Sequence, residues 1–285
     1  LAHDLTFRTF AVEMIVFPFA KINLGLQVLR KRADGYHDIE SVLVPIPLHD
    51  ALEVVELRSH PDTVELTRSG LPVPGEPNNE LCLKAVALVK KKRVLPGLRL
   101  HLHKAIPIGA GLGGGSSDAT HTLLLLNDLF HLDLTTDELQ AMVAELGSDC
   151  SFFLKRMPQF VEGRGERSRP VDILLNGLWL VLVNPGIHVS TARVFGRMRP
   201  RDDHDDLSNV LSEPIDKWQG ILVNDMEPLV FGMHPAIGQI KHELLEQGAV
   251  YAAMSGSGSS VFGIFRKKPQ LKAFPPECSV WTLPL

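Results

Sequence analysis

Between residues 19 and 29 apolar and other positions alternate, with Ala20, Ile22, Leu24 and Leu26 on one side and Lys21, Asn23, Gly25 and Gln27 on the other. A period of two predicts a strand, so Lys21 and Asn23 project the same way. Stretches at 51–57, 63–67 and 98–104 read as further strands, and 80–92 sets apolar residues at helical spacing between them. Ser116-Ser117-Asp118, followed by good helix formers as far as Phe130, matches an N-capped helix directly after a glycine-rich loop. Thr135-Thr136-Asp137-Glu138 has the capping-box arrangement and predicts a helix through 144–146 stopped by Gly147. Ser148 and Asp149 then stand just beyond a helix end.

From about residue 157 the texture changes to turn-marked strands. The pattern predicts a strand at 177–183 ending in Asn184-Pro185-Gly186, a polar loop at 197–208, a helix at 235–247, a strand at 249–254, a glycine-serine loop at 255–259 and a strand at 260–265. A domain junction is expected there, between an N-terminal domain over 14–160 that carries the glycine-rich loop and a C-terminal domain over 161–285. Residues 1–13 have neither the apolar core nor the small-residue cleavage site of a secretory signal, and read as an N-terminal extension, with Met14 a natural start for the folded part.

Composition acts mainly by exclusion. The 285 residues are 45% hydrophobic and 22% charged, ordinary for a globular chain. A net charge of −4 without a dense basic block argues against a nucleic-acid partner. The longest apolar runs, 123–126 and 178–183, fall far short of the roughly 18–20 residues that cross a bilayer, so no membrane span is expected. Cys82, Cys150 and Cys278 have no CxxC spacing, which suggests neither a disulfide framework nor a zinc site and points to a reducing cytoplasm. Cys150 reads as a packing residue, and His101 and His103, two apart on a strand without an acid partner, as structural or solvated rather than metal-binding.

The strongest chemical signal is Pro107-Ile108-Gly109-Ala110-Gly111-Leu112-Gly113-Gly114-Gly115-Ser116-Ser117, lying between a predicted strand and a predicted helix. Such backbone approaches a ligand closely and brings several N–H groups onto phosphate oxygens at the positive end of a helix. It is a polyphosphate cradle. No GK[ST] closes it as in a Walker A loop, and a dinucleotide fingerprint would need a βαβ unit near the start of a parallel sheet with an acid about 20 residues on.

This stretch resembles the P-x-G-x-G-L-G-[GS]-[GS]-S-S motif of the GHMP kinase superfamily. Ala20-Lys21-Ile22-Asn23-Leu24 and Met254-Ser255-Gly256-Ser257-Gly258-Ser259-Ser260-Val261-Phe262 agree with it in order and spacing. A narrower resemblance rests on Arg32-Ala33-Asp34-Gly35-Tyr36-His37, Leu146-Gly147-Ser148-Asp149-Cys150-Ser151-Phe152-Phe153, Gly163-Arg164-Gly165-Glu166 and Asn224-Asp225-Met226-Glu227-Pro228. Over 14–265 these are similar to the branch that phosphorylates a cytidine-diphosphate-linked methylerythritol.

The resemblance implies an α+β GHMP kinase fold, with a ribosomal-S5-like N-terminal domain, a smaller C-terminal α/β sandwich and the active site between them. It implies ATP and a mostly water-ligated Mg²⁺ without a protein carboxylate cage. Asp149 matches the catalytic base and Lys21 a lysine beside it. Pro107, Gly109, Gly111, Leu112, Gly113, Gly114, Gly115, Ser116 and Ser117 match the nucleotide cradle. Asn23, Tyr36 and His37 match substrate-binding positions, with Tyr36 and His37 recognising cytosine and His37 stacking on it. Asn78 or Asn79 matches an asparagine near the nucleotide, the register being left open by Glu80. Taken alone, a strand lysine is usually solvated and Asp149 could simply cap the next turn. Two alternatives stay open: a GHMP kinase acting on mevalonate or homoserine, and a catalytically inactive sensor on the same fold.

Overall fold

The computed structural model describes residues 13–58, 60–72, 80–200 and 206–285. Its spine is a long antiparallel hairpin of Phe19–Lys31 and His37–His49, extended by Gln159–Gly163 and Arg167–Pro170 into a four-stranded sheet. The second of these strands is absent from the sequence expectations, although Val42, Val44, Ile46 and Leu48 alternate and are all buried. Pro45 and Pro47 obscured it, because proline removes a ladder donor. The structure tolerates them because pairing with Gln159–Gly163 stops at Leu43, so the proline-bearing half needs ladder bonds on one side only.

A second sheet runs in the order Glu13–Val16, Ala51–Leu57, Gly97–Lys104, Val64–Gly70, its last pair parallel. Leu98, Leu100 and Leu102 pack against Val86 and Val89 of helix Leu81–Lys90, Leu123 and Leu126 of helix Gly114–Leu129, and Val143 of helix Thr136–Leu146. Strand period and helix period thus meet in one core, as the pattern predicted for these elements.

The third sheet, ordered Tyr251–Met254, Val261–Phe265, Trp179–Asn184, Ser279–Pro284, is antiparallel. One face carries helix Pro235–Glu246 through Ile237, Ile240 and Leu244. Its other face buries Leu180, Leu182, Phe262 and Ile264 together with Ala20, Ile22, Leu24, Val44 and Ile46 of the long hairpin. One core therefore joins the two halves. The junction expected at 160 falls inside Gln159–Gly163, which pairs with His37–His49, so this hairpin continues the sheet of the N-terminal half. Residues 1–12, Asn78, Asn79 and the 201–205 part of the expected polar loop lie outside the described residues. Among the described residues no helix is long and apolar enough to cross a membrane.

Candidate active site

The helix after the glycine-rich loop begins at Gly114, two residues earlier than expected, and Gly113 is its N-cap with φ 70° and no side-chain cap. Ser116 and Ser117 lie inside the first turn and Asp118 just beyond it, instead of capping the helix. Ser117 N makes the first return bond, to Gly113 O at 2.9 Å. The N–H groups of Gly114, Gly115 and Ser116 are left as orphan donors at a positive helix end, which suits phosphate oxygens.

The loop is clamped by the two other motifs, Ala20–Leu24 and Met254–Phe262. Lys21 N donates to Leu112 O at 3.0 Å, and Ser260 N to Ala110 O at 3.2 Å. Ser255 Oγ donates to Gly111 O at 2.8 Å and accepts from Asn23 N at 3.3 Å. At Gly111 (φ 78°) a Cβ would stand 1.9 Å from Ser255 O, so both backbone conformation and contact demand glycine. If the glycine-rich loop holds the triphosphate that the resemblance implies, Gly111→Ala should pull it off the Ser255 loop and raise the KM for ATP by roughly tenfold or more, as a loss of about 1.4 kcal/mol would. Steady-state kinetics with ATP varied checks this, and an unchanged KM would separate the clamp from nucleotide binding.

Asp149 is delivered by local structure. The capping box holds, with Glu138 N donating to Thr135 Oγ1 at 3.2 Å and Thr135 N to Glu138 Oε2 at 3.0 Å. The helix ends at Gly147, and a 3-10 turn, Ser148–Leu154, carries Asp149. Thr120 Oγ1 donates to Cys150 O at 3.0 Å, tying this turn to the helix after the glycine-rich loop. Lys21 Nζ lies 3.7 Å from Asp149 Oδ2, the lysine buried and the carboxylate 42% exposed. Lys21 also donates to Asn23 Oδ1 at 2.6 Å, and Asn23 Nδ2 donates to Ser41 Oγ at 2.8 Å. Asn23 therefore aims the lysine. Burial pushes the Lys21 ammonium below the usual lysine range, against the opposing pull of Asp149.

Two cavities meet at this pair. One, of about 390 Å³, is lined by Pro107, Gly109, Gly111 to Ser116, Lys21 and Asn23; the other, of about 580 Å³, by Tyr36 and His37. Ile39, Asp149, Arg164, Thr191 and Phe195 line both. Phe195, which sequence reasoning missed, stacks on His37 with centroids 5.3 Å apart and planes at 26°. It ends a short helix, Thr191–Phe195, and no local pattern marks it. His37 Nε2 is buried without a hydrogen-bond partner, and burial, with Lys31 nearby, pushes its imidazole down. Tyr36 is exposed at the rim.

Other expected residues fall elsewhere. Ser117 is fully buried, its hydroxyl 3.3 Å from His121 Nδ1, and lines neither cavity. The Leu112 side chain sits in the core and contributes its carbonyl to the clamp. The Cys150 thiol is buried and pushed up to about 11, chiefly by desolvation, so it stays protonated. His101 and His103 bond to the Thr67 and Ser69 hydroxyls at 2.8 to 2.9 Å. Among the described residues no group of three His, Cys, Asp or Glu side chains could hold a metal.

Sequence reasoning also missed a buried triad behind the loop. Lys104 Nζ donates to Asp50 Oδ2 and, at 2.6 Å, to Asp118 Oδ2, while Asp50 Oδ1 accepts from Ala105 N at 2.6 Å and Ile106 N at 2.9 Å. The triad joins the end of a sheet strand to the helix that follows the glycine-rich loop. No spacing rule links residues so far apart in the chain.

Fold and cleft together define a GHMP kinase. The family described as "GHMP kinases N terminal domain" matches residues 80–155, and "GHMP kinases C terminal" matches residues 203–274. A 4-diphosphocytidyl-2-C-methyl-D-erythritol kinase of Bacteroides fragilis is 47% identical over 258 residues, covering 90% of this chain and 94% of the relative. One from Cytophaga hutchinsonii is 48% identical over the same lengths. The crystal structure of a 4-(cytidine 5'-diphospho)-2C-methyl-D-erythritol kinase superposes with a TM-score of 0.76 at 29% identity, over 95% of this chain and 99% of that one. The chain belongs to the 4-diphosphocytidyl-2-C-methyl-D-erythritol kinase family.

Proposed function

We propose that the protein transfers the γ-phosphoryl group of ATP to the 2-hydroxyl of 4-diphosphocytidyl-2-C-methyl-D-erythritol, giving ADP and the 2-phosphate in non-mevalonate isoprenoid precursor synthesis. The observation that carries the reading is the Lys21–Asp149 pair at the seam between a glycine-walled cavity and one with an aromatic stack. Asp149 accepts the hydroxyl proton as the oxygen attacks γ-phosphorus and the bond to ADP breaks. Lys21 holds the carboxylate and the attacking oxygen in place. The orphan N–H groups of Gly114, Gly115 and Ser116 cradle the triphosphate.

For magnesium, the cleft offers the Ser116 hydroxyl and the Asp149 carboxylate as hard oxygen donors and, among the described residues, no cage. That set fits an ion which keeps most of its water and arrives on the triphosphate. Bound there, it would neutralise charge on the transferred group. A reducing cytoplasm suits three unpaired cysteines.

In the base cavity one face of His37 is already covered by Phe195. Phe195 and Tyr36 thus add ring faces for cytosine beside His37, and His37 also offers its unpartnered Nε2 edge. His37→Ala removes that edge and the support of Phe195, and should raise the KM for the cytidylated alcohol roughly ten- to a hundredfold, the scale of a base contact worth about 1–3 kcal/mol, with little change for ATP. An unaltered KM would remove His37 from base recognition.

ADP release should be measured for the cytidylated alcohol, free methylerythritol phosphate, mevalonate and homoserine. Only the first should be turned over efficiently, because the remote nucleotide supplies the binding energy that positions the reacting hydroxyl. Equal turnover of mevalonate would leave only a GHMP kinase of other specificity, and no turnover at all would favour the sensor.

A further inference from the structure

We infer that Arg164 receives the diphosphate of the nucleotide-linked substrate, an inference that rests on the proposed substrate and deepens it. Arg164 occupies the turn between Gln159–Gly163 and Arg167–Pro170, held by Gly163 (φ 71°) and Gly165 (φ 102°) and by its own backbone N donating to Glu166 Oε2 at 2.5 Å. Its guanidinium lies over the Tyr36 ring, 4.8 Å from the centroid. The side chain is half-buried, and among the described residues no carboxylate stands within ion-pair distance of it. Asp34, the acid that feels its charge, is engaged by Arg32 through both carboxylate oxygens at 3.0 and 3.2 Å. A half-buried guanidinium with an aromatic platform and no anion of its own is a prepared anion site.

Position selects which anion. Arg164 lines both cavities, whereas Lys31 lines only the one holding Tyr36 and His37, and Lys21 is engaged by Asp149 and Asn23. With cytosine against Phe195 and Tyr36 and the reacting hydroxyl at Asp149, the segment that must cross the seam is the diphosphate. The planar fork of Arg164 presents paired donors in a fixed geometry to phosphate oxygens, where an ammonium acts as a flexible point charge.

The test is calorimetric titration of the wild-type protein, Arg164→Met, Arg164→Lys and Lys31→Met with CDP and with cytidine, alongside the KM for ATP and a melting temperature as folding controls. Wild type should bind CDP at least tenfold more tightly than cytidine. Arg164→Met should reduce that ratio by roughly tenfold or more, the scale of a lost charge-assisted contact, and Arg164→Lys should restore only part of it, with ATP little affected. An unchanged CDP-to-cytidine ratio in Arg164→Met overturns the inference. So does loss of the ratio in Lys31→Met alone, or a loss confined to ATP. If wild type binds neither probe, the substrate reading falls with it; if it binds both and the ratio survives the mutation, only the role of Arg164 falls.

Discussion

Asp149→Asn should fold like the wild type, retain ATP and the cytidylated alcohol, and lose roughly 10²–10⁴-fold in kcat, the effect of removing a general base. Folding should survive because the Asp149 side chain is 42% exposed and its turn is held by Gly147 and by Thr120 through the Cys150 carbonyl. The same change acts on Lys21. Burial already lowers that ammonium and the Asp149 charge raises it, so loss of the carboxylate lets it fall further. If the charged lysine is needed, wild-type activity declines as pH rises through the lowered Lys21 value, and in Asp149→Asn this alkaline limb moves to lower pH. A pH profile of kcat with single-turnover rates reads both effects. Near-normal turnover in Asp149→Asn would take it out of the chemistry.

The largest loss of stability is expected at Lys104. Lys104→Met leaves Asp50 and Asp118 as two buried carboxylates with no cation between them, and breaking a buried pair costs about 3–5 kcal/mol. At about 2–4 °C per kcal/mol for chains of roughly this size, the melting temperature should fall by roughly 6–20 °C. Asp118→Asn should cost about 1 kcal/mol. Burial, with Asp50 adding to it against the pull of Lys104, holds the Asp118 carboxyl well above the usual carboxylate range, and its Oδ1 is buried without a partner. Folding takes up a proton there between the ordinary and the raised value, so wild-type stability rises as pH falls through that window, and Asp118→Asn should flatten the slope. Lys104 runs the other way: burial alone would lower it, but its two carboxylates raise it, so its contribution persists until pH climbs through that raised value. Calorimetric melts across pH would show both, and equal stability of Lys104→Met and wild type would mean the triad is not a structural tie.

Much of the site can be read along the chain. The alternation around Lys21 and Asn23 puts both on one strand face, where they share a hydrogen bond, and the capping box at Thr135 and Glu138 leads to Asp149 beyond the helix end. Ser116 and Ser117 look like caps and put the expected helix start two residues late, whereas Gly113 in the left-handed region opens the helix without a side-chain cap. The strand His37–His49 was hidden by Pro45 and Pro47, whose acceptability depends on where a neighbouring strand stops.

The sequence by itself determined the glycine-rich loop, the lysine on its strand and the carboxylate after its helix, because glycine's steric freedom, side-chain alternation and capping act within a few residues. Tertiary structure alone decided that Phe195 would cover His37, that Lys104 would bind Asp50 and Asp118, and that Arg164 would reach the seam of two cavities. Those contacts join segments far apart in the chain, and only the packing of strands and helices around shared cores brings such side chains within a few ångströms.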